Sequence, residues 1–426
     1  MKKILFVIIA LLPVSVQAAE VQKKMTLKEC YEQALHYSDV IQISDQSIQE
    51  AKTRYMQALG QVLPQISVQA SEFLQDDSAN TSNTNTTGQV VNTFTRFSRP
   101  QVGLNATQNL FQGFKELAAI KMSRMDQARQ RYNKDDAERL LYKDVAVAFF
   151  TVEQIEKSIV ITERLLKVYH SQIEELNQRI KLGKSRESEV LAQQSDMSLL
   201  EANLAAKKGE LKVAYEMLSF LTGLSPQPPI RWIDPTELKL NPEKEYLAIG
   251  QERPDIKASE QAAMLAKENI TVQRSTILPA ATAQANFYPY RVGFQKDIHW
   301  DATFNMGIPL FNWSSYGLIR EAKIQAKKSA LELDQLRRQS VTEIKKAYDK
   351  YQSSVDEYKK YTVAAKIAEK SYLKQREDFS LGLITNLDVL RAQNTWLLAL
   401  QSQNTSQVQV LSDWISLQIT AGIKPQ

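Results

Sequence analysis

The chain has 426 residues, of which 43% are hydrophobic and 24% are charged, a composition typical of folded proteins. Its 53 lysines and arginines against 48 acids give a net charge of +5, too even a balance for a nucleic-acid-binding protein. A single cysteine, Cys30, excludes an intramolecular disulfide framework, and neither a zinc-binding cluster nor a common catalytic or cofactor-binding motif occurs. We therefore expect no enzyme, no cofactor and no metal site.

Residues 1–18 have the pattern of a signal peptide. Two lysines precede an apolar run from Ile4 to Val16, and small residues lead to an expected cleavage position after Ala18. This run is shorter than the roughly 20 apolar residues that a membrane-spanning helix needs, so we expect export rather than anchoring.

The positions of proline and glycine predict two long helical blocks. No proline lies between Pro100 and Pro226 or between Pro309 and Pro425, and proline breaks helix interiors. One early glycine interrupts each block and predicts a tight turn between two helices. The expected helices cover about 115–181 and 186–222 in the first block, and about 315–380 and 385–421 in the second.

A repeating apolar stripe runs along each long helix. In the first helix the steps alternate between four and three residues, the 3.5-residue period of a coiled-coil seam. Its members are Leu141, Val145, Ala148, Val152, Ile155, Ile159, Thr162, Leu166, Tyr169, Ile173, Leu176 and Ile180, and the second seam has Val341, Ile344, Tyr348, Tyr351, Val355 and Tyr358. In the following helix, small residues predict a closely packed partner seam: Ala192, Ala202, Ala205, Ala206 and Gly209.

Four segments before the long helices alternate between apolar and polar residues, at about 64–74, 100–110, 279–290 and 298–310. Alternation over about ten residues is typical of transmembrane β-strands, although a half-buried soluble sheet gives the same pattern. Aromatic residues near the strand ends would suit the membrane interfaces: Phe73, Phe94, Phe97, Tyr288, Tyr290 and Trp300. Four strands cannot close a membrane barrel, so more than one chain must contribute.

The chain reads as two copies of one unit. Leu182-Gly183 matches Leu381-Gly382, and an acid follows six positions after each glycine, Glu189 and Asp388. We expect a first repeat at 19–224, a proline-rich connector at 225–255 and a second repeat at 256–426.

This order of elements resembles the TolC family of outer-membrane efflux channels, from about Met25 to Ile423. The two Leu-Gly turns with their acids carry the resemblance most specifically. It implies an α+β membrane protein, a homotrimer whose 12-stranded outer-membrane β-barrel takes four strands from each chain. A long periplasmic α-helical coiled-coil barrel would continue it.

The resemblance also implies a function without chemistry, the exit duct of a tripartite efflux or type I secretion system in the cell outer membrane. Such a duct passively conducts a substrate delivered by an inner-membrane transporter and a periplasmic adaptor, or membrane fusion protein. Its partners would be these two proteins, two further copies of the chain and outer-membrane lipid. Efflux of small molecules and secretion of proteins both remain open.

Two groups of candidate residues follow from the resemblance. The helix tips would dock the adaptor through Leu182, Gly183, Lys184, Leu381, Gly382 and Leu383. The periplasmic entrance would involve Glu189, Asp388, Arg391, Phe379 and Ile384. Simpler structural explanations exist, because glycine is common in helix turns and acids favour helix N-termini.

The entrance departs from the pattern that the family suggests. Arg391 stands three positions after Asp388, where a second acid can occur, and an ion pair between them would weaken cation preference. Phe379 and Ile384 stand where polar residues can help to hold an entrance shut.

Two other classes fit part of the pattern. A trimeric surface adhesin also takes four strands from each chain, but it places them together at the C-terminus. A periplasmic coiled-coil scaffold would need the alternating segments to form a soluble sheet. Solubility without detergent would favour the scaffold.

Overall fold

A computed structural model describes residues 24–74, 83–84, 90–91, 98–225, 228–292 and 296–423. The expected signal peptide and two of the expected interfacial aromatics, Phe94 and Phe97, lie outside the described residues. Among the residues that the structure describes, no helix combines the length and the hydropathy needed to cross a membrane.

Eight helices are described: α1 (Leu27–Tyr37), α2 (Asp39–Gly60), α3 (Lys115–Lys181), α4 (Glu187–Thr222), α5 (Glu243–Gly250), α6 (Pro254–Arg274), α7 (Trp313–Ser380) and α8 (Asn386–Thr420). The described strands are β1 (Gln65–Leu74), β2 (Asn83–Thr84), β3 (Val90–Val91), β4 (Ser98–Gln112), β5 (Ala280–Arg291) and β6 (Trp300–Gly307). Short 3₁₀ turns occur at Pro235–Glu237 and Ser275–Ile277. β6 stops before the expected 310, and Pro309, which has no N–H to donate, stands just beyond it.

The chain forms two compact units, and each contains segments of both sequence repeats. The unit that we call the tip unit comprises the described residues up to Tyr37 and those within Val145–Thr236 and Tyr361–Val408. The sheet unit comprises the described residues within Ser38–Asp144 and Glu237–Lys360 and those from Gln409 onward.

The seam along α3 is buried as its period predicts. Of the twelve seam residues, only Ile155, Ile173 and Ile180 are half-buried, and the other nine are buried. Within the tip unit, Leu165 and Leu166 of α3 join a core cluster with residues of α4, α7 and α8. The second seam is less covered, and its first member, Val341, is 37% exposed.

The expected small-residue seam of α4 is wrong for the single chain. Ala192, Ala202, Ala205, Ala206 and Gly209 are all exposed. The side that α4 buries carries larger residues instead, among them Val190, Leu200 and Leu218. Larger apolar side chains remove more surface from water, so they take the side that packs within the chain.

The main sheet is antiparallel with the strand order β1-β4-β5-β6, so β1 and β6 are its edges. The pairing of β4 with β5 is irregular at 102–104 and at 109–111, and between these points the register aligns the alternation of the four strands. One row of directly paired residues is apolar: Val68, Leu104, Phe287 and Trp300. The next row is polar: Ser67, Asn105, Asn286 and Asp301.

The two faces of the sheet therefore differ in chemistry. On the polar face, Asn105 Nδ2 donates to Asn286 Oδ1 at 2.5 Å, and Asn286 Nδ2 donates to Asp301 Oδ1 at 2.7 Å. The apolar face is open in the single chain, where Val68 is 70% and Phe304 78% exposed. A sheet with one bare apolar face needs an apolar environment on that side.

A buried arginine joins three helices, α6, α7 and α8, within the sheet unit. Arg253, with a side chain 6% exposed, donates to Asp255, to Ser340 Oγ at 3.2 Å and to Glu343 at 2.9 Å. It also donates to the carbonyl of Thr420 at 3.2 Å, at the end of α8. Burial alone would raise the pKa of Asp255, but the hydrogen bonds from Arg253 hold it below its ordinary value.

Replacing Arg253 with methionine should destabilise the protein by roughly 3 kcal/mol, because the variant leaves Asp255 without its buried cation. We expect a lower temperature of irreversible unfolding in detergent. Arg338→Met is the matched control, since Arg338 is exposed on α7 and should leave that temperature unchanged. Equal shifts in both variants would contradict the role assigned to Arg253.

Candidate functional site at the helix tips

Two glycine turns close the helical hairpins α3–α4 and α7–α8. Gly183 has φ +70° and Gly382 has φ +78°, in the left-handed region that favours glycine. The leucines around them point outward, with exposures of 69% for Leu182, 66% for Leu381 and 70% for Leu383. Both tips therefore have an accessible apolar surface, and the exposed Lys184 adds a basic group to the first tip.

The two candidate acids lie in the first turns of α4 and α8, where each caps its helix. Glu189 Oε2 accepts from Ser185 Oγ at 2.5 Å and from the backbone N–H of Arg186 at 3.4 Å. Asp388 Oδ2 accepts from the hydroxyl of Thr385 at 2.6 Å and from its backbone N–H at 3.1 Å. The simpler explanation, helix capping, is therefore present at both acids.

Asp388 does not form the expected ion pair with Arg391 in the described part of the chain. The two hydrogen bonds from Thr385 turn the carboxylate back toward the N-terminus of α8. They lower the pKa of Asp388 below its ordinary value, and the charge of Arg391 adds a weaker effect in the same direction. The carboxylate of Asp388 thus keeps its charge at neutral pH, and the side chain of Arg391 is exposed.

Phe379 and Ile384 are partly buried beside the core cluster of the tip unit. The guanidinium of Arg179, from α3, lies 4.4 Å from the centre of the Phe379 ring. Arg179 Nη2 also donates to the carbonyl of Ser380 at 3.2 Å, the last residue of α7. One arginine therefore ties the end of α3 to the end of α7 and holds the two turns side by side.

A buried polar layer crosses the tip unit about three helical turns from the glycines. Gln193 Nε2 donates to Gln172 Oε1 at 2.5 Å, and Gln172 Nε2 donates to the hydroxyl of Tyr372 at 2.9 Å. Gln393 is fully buried, and its Nε2 has no hydrogen-bond partner among the described residues. Polar groups inside a coiled coil restrict the alignment of its helices.

Sequence reasoning missed Arg179 and this polar layer. The layer left one signal, because Gln193 and Gln393 recur 200 positions apart within matching segments. Arg179 left no such signal, since only the fold brings it against Phe379. Over the described ranges, no group of histidine, cysteine or carboxylate side chains is arranged to hold a metal ion.

The chain belongs to the outer membrane efflux protein family, whose model matches residues 30–224 and 248–422. The protein is therefore an outer-membrane protein whose helices extend into the periplasm. This is a family of channels rather than enzymes.

Among curated proteins, the chain is similar to the alkaline protease secretion protein AprF of Pseudomonas aeruginosa, with 22% identity over 178 residues. The match covers 40% of this chain and 37% of AprF, so it spans well under half of that relative.

Solved structures share the fold over nearly the whole chain. CusC matches with 19% identity and a TM-score of 0.82, over 93% of this chain and 92% of CusC. VceC of Vibrio cholerae matches with 18% identity and a TM-score of 0.79, over 93% of this chain and 96% of VceC. The CmeC outer membrane channel of Campylobacter jejuni also matches, with 16% identity and a TM-score of 0.78, over 93% of this chain and 85% of CmeC. The predicted fold class, an outer-membrane channel with four strands per chain and a helical extension, is confirmed.

Arg179→Met should loosen the tips, because it removes the bond to Ser380 and the charge above Phe379. We expect faster cleavage near residues 180–186 and 379–386 in limited proteolysis, with mass spectrometry identifying the sites. Lys181→Met is the matched control two residues away, where the side chain is exposed. Unchanged cleavage in Arg179→Met would contradict its role as a tie.

Proposed function

We propose that this chain forms a trimeric, passive exit duct for efflux or type I secretion. Three copies would close one barrel in the outer membrane, and their helices would form a tunnel across the periplasm. The duct performs no chemistry, and its cargo arrives from an inner-membrane transporter through a periplasmic adaptor.

The two-faced sheet is the observation that carries this proposal. Within each strand of a membrane barrel, lipid-facing residues alternate with lumen-facing residues. In this sheet the apolar residues of the four paired strands lie on the same face. The apolar row would face lipid, and the hydrogen-bonded asparagines would face a water-filled lumen. A soluble scaffold would leave residues such as Phe304 and Met306, both over 70% exposed, in water.

Closure explains why the duct needs more than one chain. β1 and β6 end the sheet with unpaired backbone groups, which lipid does not tolerate. If β6 of one chain pairs with β1 of the next, three chains of four strands form a closed barrel of twelve.

The tips are proposed as the docking and entrance region. Leu182, Leu381 and Leu383 offer exposed apolar contacts to an adaptor, and Gly183 and Gly382 allow the tight turns that present them. Asp388, Glu189 and Arg391 would then lie near the entrance, where threefold repetition makes a ring of each charge.

Two measurements on the detergent-purified protein test the proposal, its mass in solution and its conductance in a planar bilayer. A particle of three chains that gives discrete pores supports the duct. A detergent-free, soluble particle without pores contradicts it and favours the periplasmic scaffold.

Asp388→Ala should shift ion selectivity toward anions, and Arg391→Ala should shift it toward cations. A unit charge about 10 Å from a permeating ion in water contributes ~0.4 kcal/mol, or a factor of about two in permeability ratio. Reversal potentials in a salt gradient measure the shift. Glu201→Ala, which removes an exposed acid further along α4, is the control and should change little.

The difference between wild type and Asp388→Ala should also persist as the pH falls from about 7 to 5. Because the pKa of Asp388 is lowered from 3.8, its carboxylate stays ionised over that whole range. If both single variants keep wild-type selectivity, neither residue lines the entrance.

A further inference from the structure

The polar face of the main sheet becomes basic toward one end. All four strands join helices at the same end, because β1 follows α2, β4 precedes α3, β5 follows α6 and β6 precedes α7. We call the opposite end, where β1 stops at Leu74 and β4 begins at Ser98, the loop end. Within the described strands of this sheet, the polar face carries three charged side chains, those of Arg99, Arg291 and Asp301, and both arginines lie at the loop end.

The strand register places the two arginines on the polar face. Arg99 is an even number of residues from Asn105 along β4, so both lie on the same side of that strand. Arg291 pairs directly with Gln101, which also lies on the side of Asn105, beyond the irregularity at 102–104 that gives β5 one extra residue. Arg99 and Arg291 are therefore diagonal neighbours on one face, about 7–8 Å apart between Cα atoms.

An aromatic ring supports the first arginine. Arg99 and Phe73 are directly paired across β4 and β1, and the guanidinium carbon lies 4.7 Å from the centre of the Phe73 ring. The other residues on this side of β1 are glutamine and serine. Phe73 thus lies on the polar face, where it supports a cation, and not on the apolar face that an interfacial aromatic would occupy.

The second arginine rests on a fixed tyrosine. The guanidinium carbon of Arg291 lies 4.3 Å from the centre of the Tyr288 ring. That ring lies against Gly103, where a Cβ would come within 3.1 Å of it. The hydroxyl of Tyr288 donates to Asp301, and its backbone N–H donates to the carbonyl of His299 at 2.7 Å. Tyr288 is therefore held at its ring, its hydroxyl and its backbone, and it fixes the position of Arg291.

Two stacked guanidiniums on one face suit an oxygen anion. Stacking uses the flat face of a guanidinium, whereas its N–H groups lie along the edge and donate in pairs to phosphate or carboxylate oxygens. The one described acid on this face, Asp301, accepts from Asn286 Nδ2 at 2.7 Å and from Tyr288. Asp301 pairs with Asn286, five residues before Arg291 on β5, so it lies further from the loop end than the arginines.

We propose that Arg99 and Arg291 form a binding site for phosphate-like oxygen anions at the loop end of the polar face. In the proposed duct this face lines the lumen, so three copies place six guanidiniums around the exit. The site favours cargo that carries phosphate or carboxylate groups. This inference rests on the proposed function, because only a closed barrel turns the polar face into a lumen.

Block of single-channel current by inorganic triphosphate tests the site. Triphosphate is added in turn to each side of a planar phosphatidylcholine bilayer that holds the purified protein, at constant ionic strength. On the more sensitive side, the variant with Arg99→Gln and Arg291→Gln should raise the half-blocking concentration roughly tenfold, because charge-assisted hydrogen bonds to the anion are lost. Each single variant should raise it about threefold, which keeps the test available if the double variant does not accumulate.

Two further variants separate the stacked site from general positive charge. Arg99→Lys with Arg291→Lys keeps both charges but loses the planar paired donors, so block should weaken about threefold. Lys296→Gln is the matched control, since Lys296 is an exposed cation in the turn at the same end of the sheet. It should leave the half-blocking concentration unchanged.

The possible results separate the site from the duct. Pores of a three-chain particle that triphosphate blocks equally in wild type and in the double glutamine variant, or not at all, overturn the inference and leave the duct intact. An equal effect of Lys296→Gln also overturns it. If added phosphatidylglycerol abolishes the difference between wild type and variant, lipid headgroups occupy the arginines and the lumen site is wrong. A monomeric particle without pores overturns both the site and the duct.

Discussion

Unpaired backbone groups cannot face lipid, and much of this molecule follows from that constraint. Each chain has a sheet of four strands with β1 and β6 as edges, which is too few to close on itself. One face of the sheet is apolar, and on the other face the side-chain amides of Asn105 and Asn286 donate hydrogen bonds between the strands. Such a sheet is complete only when other chains continue it, so the barrel, the pore and the assembly depend on one another.

The helices also need neighbours, but to bury apolar side chains and not to pair backbone groups. A helix of 67 residues such as α3 satisfies its own backbone but must bury an apolar stripe along its length. Its 3.5-residue period does so against α4, α7 and α8 in the tip unit, while the small residues of α4 stay exposed. Both the strands and the helices therefore leave uncovered surfaces that copies of the same chain would complete. The buried glutamines and Arg179 then hold the helix ends in one arrangement near the tips.

Long elements with a strong period could be predicted from the sequence. The bounds of α3, α4, α7 and α8 differ from expectation by two residues or fewer, because proline and glycine mark their ends. The helices α1 and α2 were not predicted, although Thr26 and Glu29 form a capping box at the start of α1. Periodicity also did not show which side of α4 faces its own chain, because this helix has apolar residues on both its buried and its exposed side. Arg179 and Arg253 act through residues distant in sequence, so only the fold shows their partners.

Amide hydrogen exchange of the protein reconstituted in lipid vesicles tests the central claim most directly. If copies close the barrel by pairing β6 of one chain with β1 of the next, the amides on both sides of β1 and β6 are hydrogen-bonded. They should then be protected as strongly as the amides of β4 and β5. In a sheet that stays open, the outward amides of β1 and β6 would exchange far faster than those of the inner strands. That result would contradict a barrel shared between chains.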